Sequence, residues 1–145
     1  MRVRASRVIN AKGETVFQTV ADIRNLSHAL PQIKSYELLT DGALGVGTRF
    51  REVREMRGRE MMTQLEITEF APNEFVRMIA DNPDTVWDST FAIVQMRESS
   101  QLTIVMHARS KTMKAKLRNA LIKWMIKWAI EKDLDSIKSY CESTG

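Results

Sequence analysis

The chain has 145 residues, of which 43% are hydrophobic and 28% are charged, and its formal net charge is +4 at pH 7. This length buries a real core without disulfides or metal, so we expect one domain over residues 1–145. A single cysteine excludes an internal disulfide and two histidines leave little material for a zinc site, so we predict no metal or other cofactor. The modest charge and the lack of an aromatic and basic reading motif argue against nucleic-acid binding.

The N-terminal sequence MRVRASR lacks the apolar core of a signal peptide. The longest apolar stretch, residues 120–130, contains Lys123 and Lys127 and is too short to span a bilayer. We therefore expect a soluble, cytoplasmic protein.

Taken in chain order, the hydrophobic pattern predicts a strand over residues 3–9 and then two short helices, over residues 15–23 and 26–30. A period of two then predicts six strands, over residues 34–40, 48–57, 60–70, 74–80, 86–96 and 102–110. Turn-forming residues separate these strands, so they indicate an antiparallel meander.

The last part of the chain predicts one long helix over residues 112–141, since no Gly or Pro occurs from Asp84 to Thr144. Such a helix would span on the order of 45 Å and must lie on a sheet. It carries two apolar stripes, the first formed by Met113, Leu117, Leu121, Trp124 and Trp128 and the second by Ile126, Ile130, Leu134, Ile137 and Cys141.

Both stripes cannot face one flat sheet. We favour a kink near Trp128, which would let the first stripe line a cavity while the second packs on the protein. The alternative is that one stripe is exposed.

Basic residues cluster in the first part of this predicted helix. Residues 111–130 contain no acid and six basic residues, namely Lys111, Lys114, Lys116, Arg118, Lys123 and Lys127. A solvated helix face would explain the cluster. The alternative is attraction to an anionic ligand, membrane surface or protein partner, for which Lys116, Lys123 and Lys127 are the candidate contacts.

Several segments resemble the START-related (SRPBCC) superfamily, which includes birch-pollen-allergen-type proteins, lipid-transfer START domains and bacterial polyketide cyclase/dehydrase-like proteins. They are RVINA, TVF and ADI within residues 7–23, GVGTRF at 45–50, LEITEFAPN at 65–73 and DLDSIK at 133–138. The resemblance implies an α+β helix-grip fold: a curved seven-stranded antiparallel sheet wrapped around a long C-terminal helix, two short helices after strand 1, and an apolar cavity between sheet and helix. It carries over no catalytic residue, because these motifs mark the sheet, turns and helix ends.

Alternation along the strands predicts which side chains face the helix. The predicted cavity lining is Phe50, Glu52, Arg54, Thr63, Leu65, Trp87, Phe91, Met106, Leu117, Leu121 and Trp124. This mainly apolar set suits an elongated or aromatic apolar ligand oriented by one or two hydrogen bonds. The alternative is that these side chains form a filled core.

Glu52 and Arg54, with Arg7 on the neighbouring inward line, are the candidates for acid–base or anion-binding chemistry. An internal ion pair is the favoured interpretation, because buried charges need partners. The alternative is that Arg54 or Arg7 binds a carboxylate or enolate oxygen while Glu52 acts as a general base.

The sequence therefore leaves three functions open. We favour a non-catalytic binder or carrier of a small hydrophobic molecule, which is lipid-like or a polyketide-like aromatic. The second is a cyclase or dehydratase that uses Glu52 and Arg54. The third is an interaction module that contacts a membrane or a protein through the basic C-terminal helix.

Overall fold

The computed structural model describes residues 1–144, which form one antiparallel sheet and four helices. In chain order the elements are β1 (Arg2–Ile9), α1 (Gly13–Ala21), α2 (Ile23–Ala29), β2 (Ile33–Leu38), β3 (Arg49–Met56), β4 (Arg59–Ala71), β5 (Phe75–Asp81), β6 (Thr85–Gln95), β7 (Ser100–Ser110), α3 (Met113–Leu121) and α4 (Lys123–Thr144). The seven strands follow the order β1-β7-β6-β5-β4-β3-β2. This architecture confirms the predicted helix-grip fold, including the two short helices after the first strand.

The β3–β4 connection is a two-residue turn. Arg57 and Gly58 both have positive φ, at 52° and 76°, as the type I′ turns of tight hairpins require. The ladder continues to this turn without a shift in register, from Arg49 opposite Glu66 to Met56 opposite Arg59. Since β5 pairs with β4 only from Glu66 onwards, the tip of the β3–β4 hairpin extends beyond the end of β5.

The single helix predicted over residues 112–141 is wrong, because the structure divides this segment into α3 and α4. The break lies at Ile122, whose φ of −99° and ψ of 8° depart from helical values, and not near Trp128 as predicted. No Gly or Pro marks the break; its physical reason is the separate anchoring of α3, whose Asn119 donates to Thr85 and Ser110 at the end of the sheet. None of the helices described in residues 1–144 is long and apolar enough to cross a membrane.

The second stripe of the C-terminal segment packs α4 onto the protein. Ile130, Leu134, Ile137 and Cys141 are at most 5% exposed and belong to the same core cluster as residues of β1 and α1. The thiol of Cys141 lies 3.6 Å from Thr19 Oγ1 on α1, and its burial raises its pKa. Cys141 is therefore a packed side chain.

An ion-pair network crosses the convex face of the sheet. Arg77 on β5 donates two hydrogen bonds to Asp88 on β6, at 2.9 and 2.6 Å, and a third to Glu69 on β4 at 2.7 Å. Arg109 on β7 also donates to Asp88, at 3.0 Å. The hydrogen bonds from Arg77 outweigh burial and lower the pKa of Asp88. The network thus joins four adjacent strands.

Replacing Leu134 by Ala should lower the free energy of unfolding by about 2 to 5 kcal/mol, because Leu134 is fully buried and its loss leaves a cavity. Leu121→Ala is the matched control, since Leu121 is 76% exposed and should change stability by less than about 0.5 kcal/mol. Urea denaturation followed by circular dichroism measures both, and equal losses would contradict the packing of α4.

Replacing Asp88 by Asn should lower the free energy of unfolding by about 1 to 3 kcal/mol at pH 7 through the loss of charge-assisted hydrogen bonds. Because the pKa of Asp88 is lowered in the folded protein, its contribution is present above its ordinary value of 3.8 and is lost as the pH falls through the folded-state value. The difference between wild type and variant should therefore shrink below that pH. Denaturation midpoints between pH 2 and 7 measure it, with the exposed Asp41→Asn as control.

Candidate functional site

The strand residues predicted to line the cavity share the concave face of the sheet. Phe50, Glu52 and Arg54 alternate along β3 and lie opposite Leu65, Thr63 and Met61 of β4. The same face continues through the pairs Ile67 and Met78, Ala80 and Trp87, Phe91 and Ile104, and Ser89 and Met106. Register therefore brings together the eight strand positions of the predicted lining: Phe50, Glu52, Arg54, Thr63, Leu65, Trp87, Phe91 and Met106.

The packed core covers only part of this face. Leu65, Phe91 and Met106 contact the core cluster but remain partly exposed. Thr63 and Trp87 on the same face are also partly exposed. The helices therefore leave part of the inner face of the sheet incompletely covered, and the side chains there are mainly apolar.

Two depressions lie elsewhere on the surface of the protein. One, of about 410 Å³, is bordered by Ser27 and His28 of α2 and by Tyr36 of β2. The other, of about 570 Å³, lies at the start of α1 beside Gly13 and Gln95. Neither contains a residue of the predicted lining.

The predicted lining must be corrected for the helical residues. Ala115 and Asn119 form the buried side of α3, and Asn119 Nδ2 donates to Thr85 Oγ1 at 3.2 Å and to Ser110 Oγ at 3.1 Å. At about 100° per residue, this anchor turns the first apolar stripe to the opposite side of α3. Leu117, Leu121 and Trp124 are accordingly 62%, 76% and 67% exposed and point away from the sheet.

A largely buried ion-pair cluster joins β3 to α4. Arg54 Nε donates to Glu52 Oε1 at 3.0 Å, and Arg54 Nη1 donates to Asp133 Oδ2 of α4 at 2.9 Å. The exposed fractions of the three side chains are 10% for Glu52, 26% for Arg54 and 17% for Asp133. Burial disfavours the guanidinium charge, but the charges of Asp133 and Glu52 outweigh it and raise the pKa of Arg54.

Sequence reasoning paired Glu52 with Arg54 but missed Asp133. A signal was present, because Asp133 follows Ile130 by three residues and precedes Ile137 by four, which places it beside the buried stripe of the helix. An acid at that position needs a cationic partner from the sheet.

Arg7 on β1 is also paired. Its guanidinium donates to Asp135 Oδ1 at 2.9 Å and to Glu131 Oε2 at 3.4 Å on α4, and to the carbonyl of Ser6 at 2.8 Å. The hydrogen bond to Asp135 makes the largest contribution to the raised pKa of Arg7. The guanidinium groups of Arg7 and Arg54 are thus both paired with carboxylates of the protein itself.

The chemistry available to the cluster of Glu52, Arg54 and Asp133 follows from these pairings. Glu52, Arg54 and Asp133 combine one positive and two negative charges, so the cluster has a formal charge of −1. Its carboxylate oxygens can accept hydrogen bonds from a ligand hydroxyl or amine, whereas its guanidinium is already engaged on two sides. The cluster is suited to orienting a polar group at one end of an apolar ligand.

A family model described as polyketide cyclase / dehydrase and lipid transport matches residues 1–142. The chain belongs to this family. The description covers both enzymes and lipid carriers, and no curated protein matches the sequence.

Solved structures of low sequence identity share the fold of this family member. A START superfamily protein from Mycobacterium smegmatis is 17% identical and superposes with a TM-score of 0.83 over 99% of each chain. Protein TTHA0849 from Thermus thermophilus is 19% identical, with a TM-score of 0.81 over 100% of this chain and 99% of that one. The Zhui aromatase/cyclase from a Streptomyces strain is 13% identical, with a TM-score of 0.76 over 98% of this chain and 93% of that one.

Replacing Arg54 by Met should lower the free energy of unfolding by about 3 to 5 kcal/mol at pH 7, because it leaves two largely buried carboxylates without a cation. The triple variant Glu52→Gln, Arg54→Met, Asp133→Asn should recover much of that stability. Urea denaturation measures both variants. A triple variant no more stable than Arg54→Met would show that the charges do not stabilise one another.

Proposed function

We propose that the chain binds a small hydrophobic molecule in the groove between the concave face of the sheet and its C-terminal helices. The observation that carries this proposal is the partial exposure of Leu65, Phe91 and Met106, three apolar side chains on the inner face of the sheet. Inward side chains of a filled core would be buried, as Leu102 and Ile104 are on the same face of β7. Burying the exposed part of the groove against an apolar ligand is favourable.

The ligand class follows from the lining. Aliphatic and aromatic side chains suit an elongated lipid-like molecule or a flat polyketide-like aromatic. The carboxylates of Glu52 and Asp133 favour a ligand with a hydroxyl or amine at the end that reaches them. A ligand carboxylate is disfavoured there, because the cluster already carries an excess negative charge.

Catalysis of a cyclase or dehydratase type is the weaker candidate. It would use Glu52 as a base and Arg54 to stabilise an enolate oxygen, but Arg54 is already held by Glu52 and by Asp133 of α4. An enolate would have to displace one of these carboxylates from the guanidinium. The present geometry therefore supports binding more than acid–base chemistry.

Native mass spectrometry of freshly purified protein, followed by denaturation of the same sample, tests for a bound small molecule. We expect a co-purified apolar compound that is released on denaturation. Its mass and fragmentation would separate a lipid from a polyketide-like aromatic. Protein that is free of ligand and also fails to bind the apolar fluorophore N-phenyl-1-naphthylamine would contradict the proposal.

Met106→Gln should weaken binding of N-phenyl-1-naphthylamine, a neutral apolar fluorophore, by about tenfold, which corresponds to about 1.4 kcal/mol. The variant places an amide among the apolar groups of the groove. Val105→Gln is the matched control, because Val105 lies next to Met106 on β7 but faces the convex side and should leave the affinity unchanged. Fluorescence titration measures both, and equal affinities for the two variants would place the probe outside the groove.

A further inference from the structure

The first apolar stripe of the C-terminal segment remains on the surface. Its five side chains are 57% to 76% exposed: Met113, Leu117, Leu121, Trp124 and Trp128. We call this set the elbow stripe, because it crosses the break between α3 and α4. Proteins in solution rarely expose so many large apolar side chains in one continuous patch unless the patch contacts something.

Packing fixes the direction of the elbow stripe. On α3 it lies opposite the buried Ala115 and Asn119. On α4, Trp128 is two residues before the buried Ile130, which at about 100° per residue turns it to nearly the opposite side of the helix. The side chains of the elbow stripe therefore lie in neither the groove nor the core.

Lysines flank the elbow stripe. By helical spacing, Lys114 and Lys116 lie on either side of Leu117, and Lys127 and Lys132 lie on either side of Trp128. The ammonium of Lys132 lies 5.1 Å from the centre of the Trp128 ring. An apolar line of Leu and Trp between rows of lysine is typical of helices that lie in a membrane interface.

The charges of the elbow are mostly uncompensated. No acid occurs in residues 112–130. Lys111 pairs with Asp81 and Arg118 pairs with Asp84. Within residues 1–144, the remaining four lysines of the cluster form no ion pair: Lys114, Lys116, Lys123 and Lys127.

We propose that the elbow stripe docks onto an anionic lipid bilayer, with its Leu and Trp side chains inserted at the interface and the flanking lysines at the lipid phosphates. Charge complementarity selects this occupant. A second copy of the chain would bring two faces of unpaired lysines together, and their like charges would oppose association. The surface is separate from the groove, so docking does not require that the groove holds a ligand.

Flotation with vesicles of 70% phosphatidylcholine and 30% phosphatidylglycerol, compared with pure phosphatidylcholine, tests the proposal. We expect the wild type to float with the anionic vesicles and not with the neutral ones, and 0.5 M NaCl to release it. Emission from the exposed Trp124 and Trp128 should shift to shorter wavelength on binding. Absence from both vesicle fractions, or equal binding to both, would overturn the proposal.

Two double variants separate the apolar and the charged contributions. Leu117→Gln with Leu121→Gln, and Lys114→Gln with Lys116→Gln, should each weaken binding to anionic vesicles by about tenfold or more. Because these side chains are exposed, the folded state should be unaffected, which circular dichroism verifies. Val94→Gln is the control for the leucine variant, because it removes a 58% exposed apolar side chain outside the elbow stripe. Arg4→Gln with Arg97→Gln is the control for the lysine variant, because it removes two exposed positive charges outside the elbow stripe. Controls that weaken binding as much as the elbow variants would show that the elbow is not the docking surface.

The same variants distinguish this proposal from ligand binding and from self-association. The Leu117→Gln, Leu121→Gln protein should keep its affinity for N-phenyl-1-naphthylamine, and Met106→Gln should keep its binding to vesicles. Light scattering of the wild type should report a monomer. A dimer that the elbow variants dissociate would identify a second copy as the occupant and overturn the membrane proposal.

Discussion

The curvature of the sheet positions the rest of the structure, because two arginines from strands far apart in the sheet reach the same helix, α4. Arg7 of β1 reaches Asp135, and Arg54 of β3 reaches Asp133, two residues away on the same helix. β1 and β3 are five strand spacings apart, which would be about 24 Å in a flat sheet. The sheet must curve to bring both strands to one helix, and this curvature creates the concave face.

The two ends of the concave face differ because the helices cover them unequally. At one end α1, α2 and the C-terminal half of α4 close the core, with Phe17 packed edge-on against Phe70 at 5.3 Å. At the other end α3 is fixed by Asn119 to the last residues of the sheet. The proposed groove is the part of the concave face that neither group of helices fills.

The sequence could predict what depends on local periodicity. Alternation placed Glu52 and Arg54 on the inner face, and the Arg57 and Gly58 turn marked the β3–β4 hairpin. It could not predict the break at Ile122, because no residue with a backbone preference stands there and the break depends on Asn119 reaching Thr85 across 34 residues. A kink near Trp128 was predicted instead, which would let the first apolar stripe line the cavity, but this stripe faces solvent.

Basic residues precede acidic ones along the C-terminal segment, and the two parts make different contacts. Glu131, Asp133 and Asp135 pair with arginines of the sheet, so this part of α4 is held against the sheet by ion pairs. Four lysines before residue 131 form no ion pair within residues 1–144 and flank the elbow stripe: Lys114, Lys116, Lys123 and Lys127. The β3–β4 hairpin extends beyond β5 at the end of the sheet where β7 leads into α3. The β3–β4 hairpin and the proposed bilayer contact are therefore at the same end of the sheet, so an apolar ligand of the proposed groove would have a short path from lipid with little exposure to water.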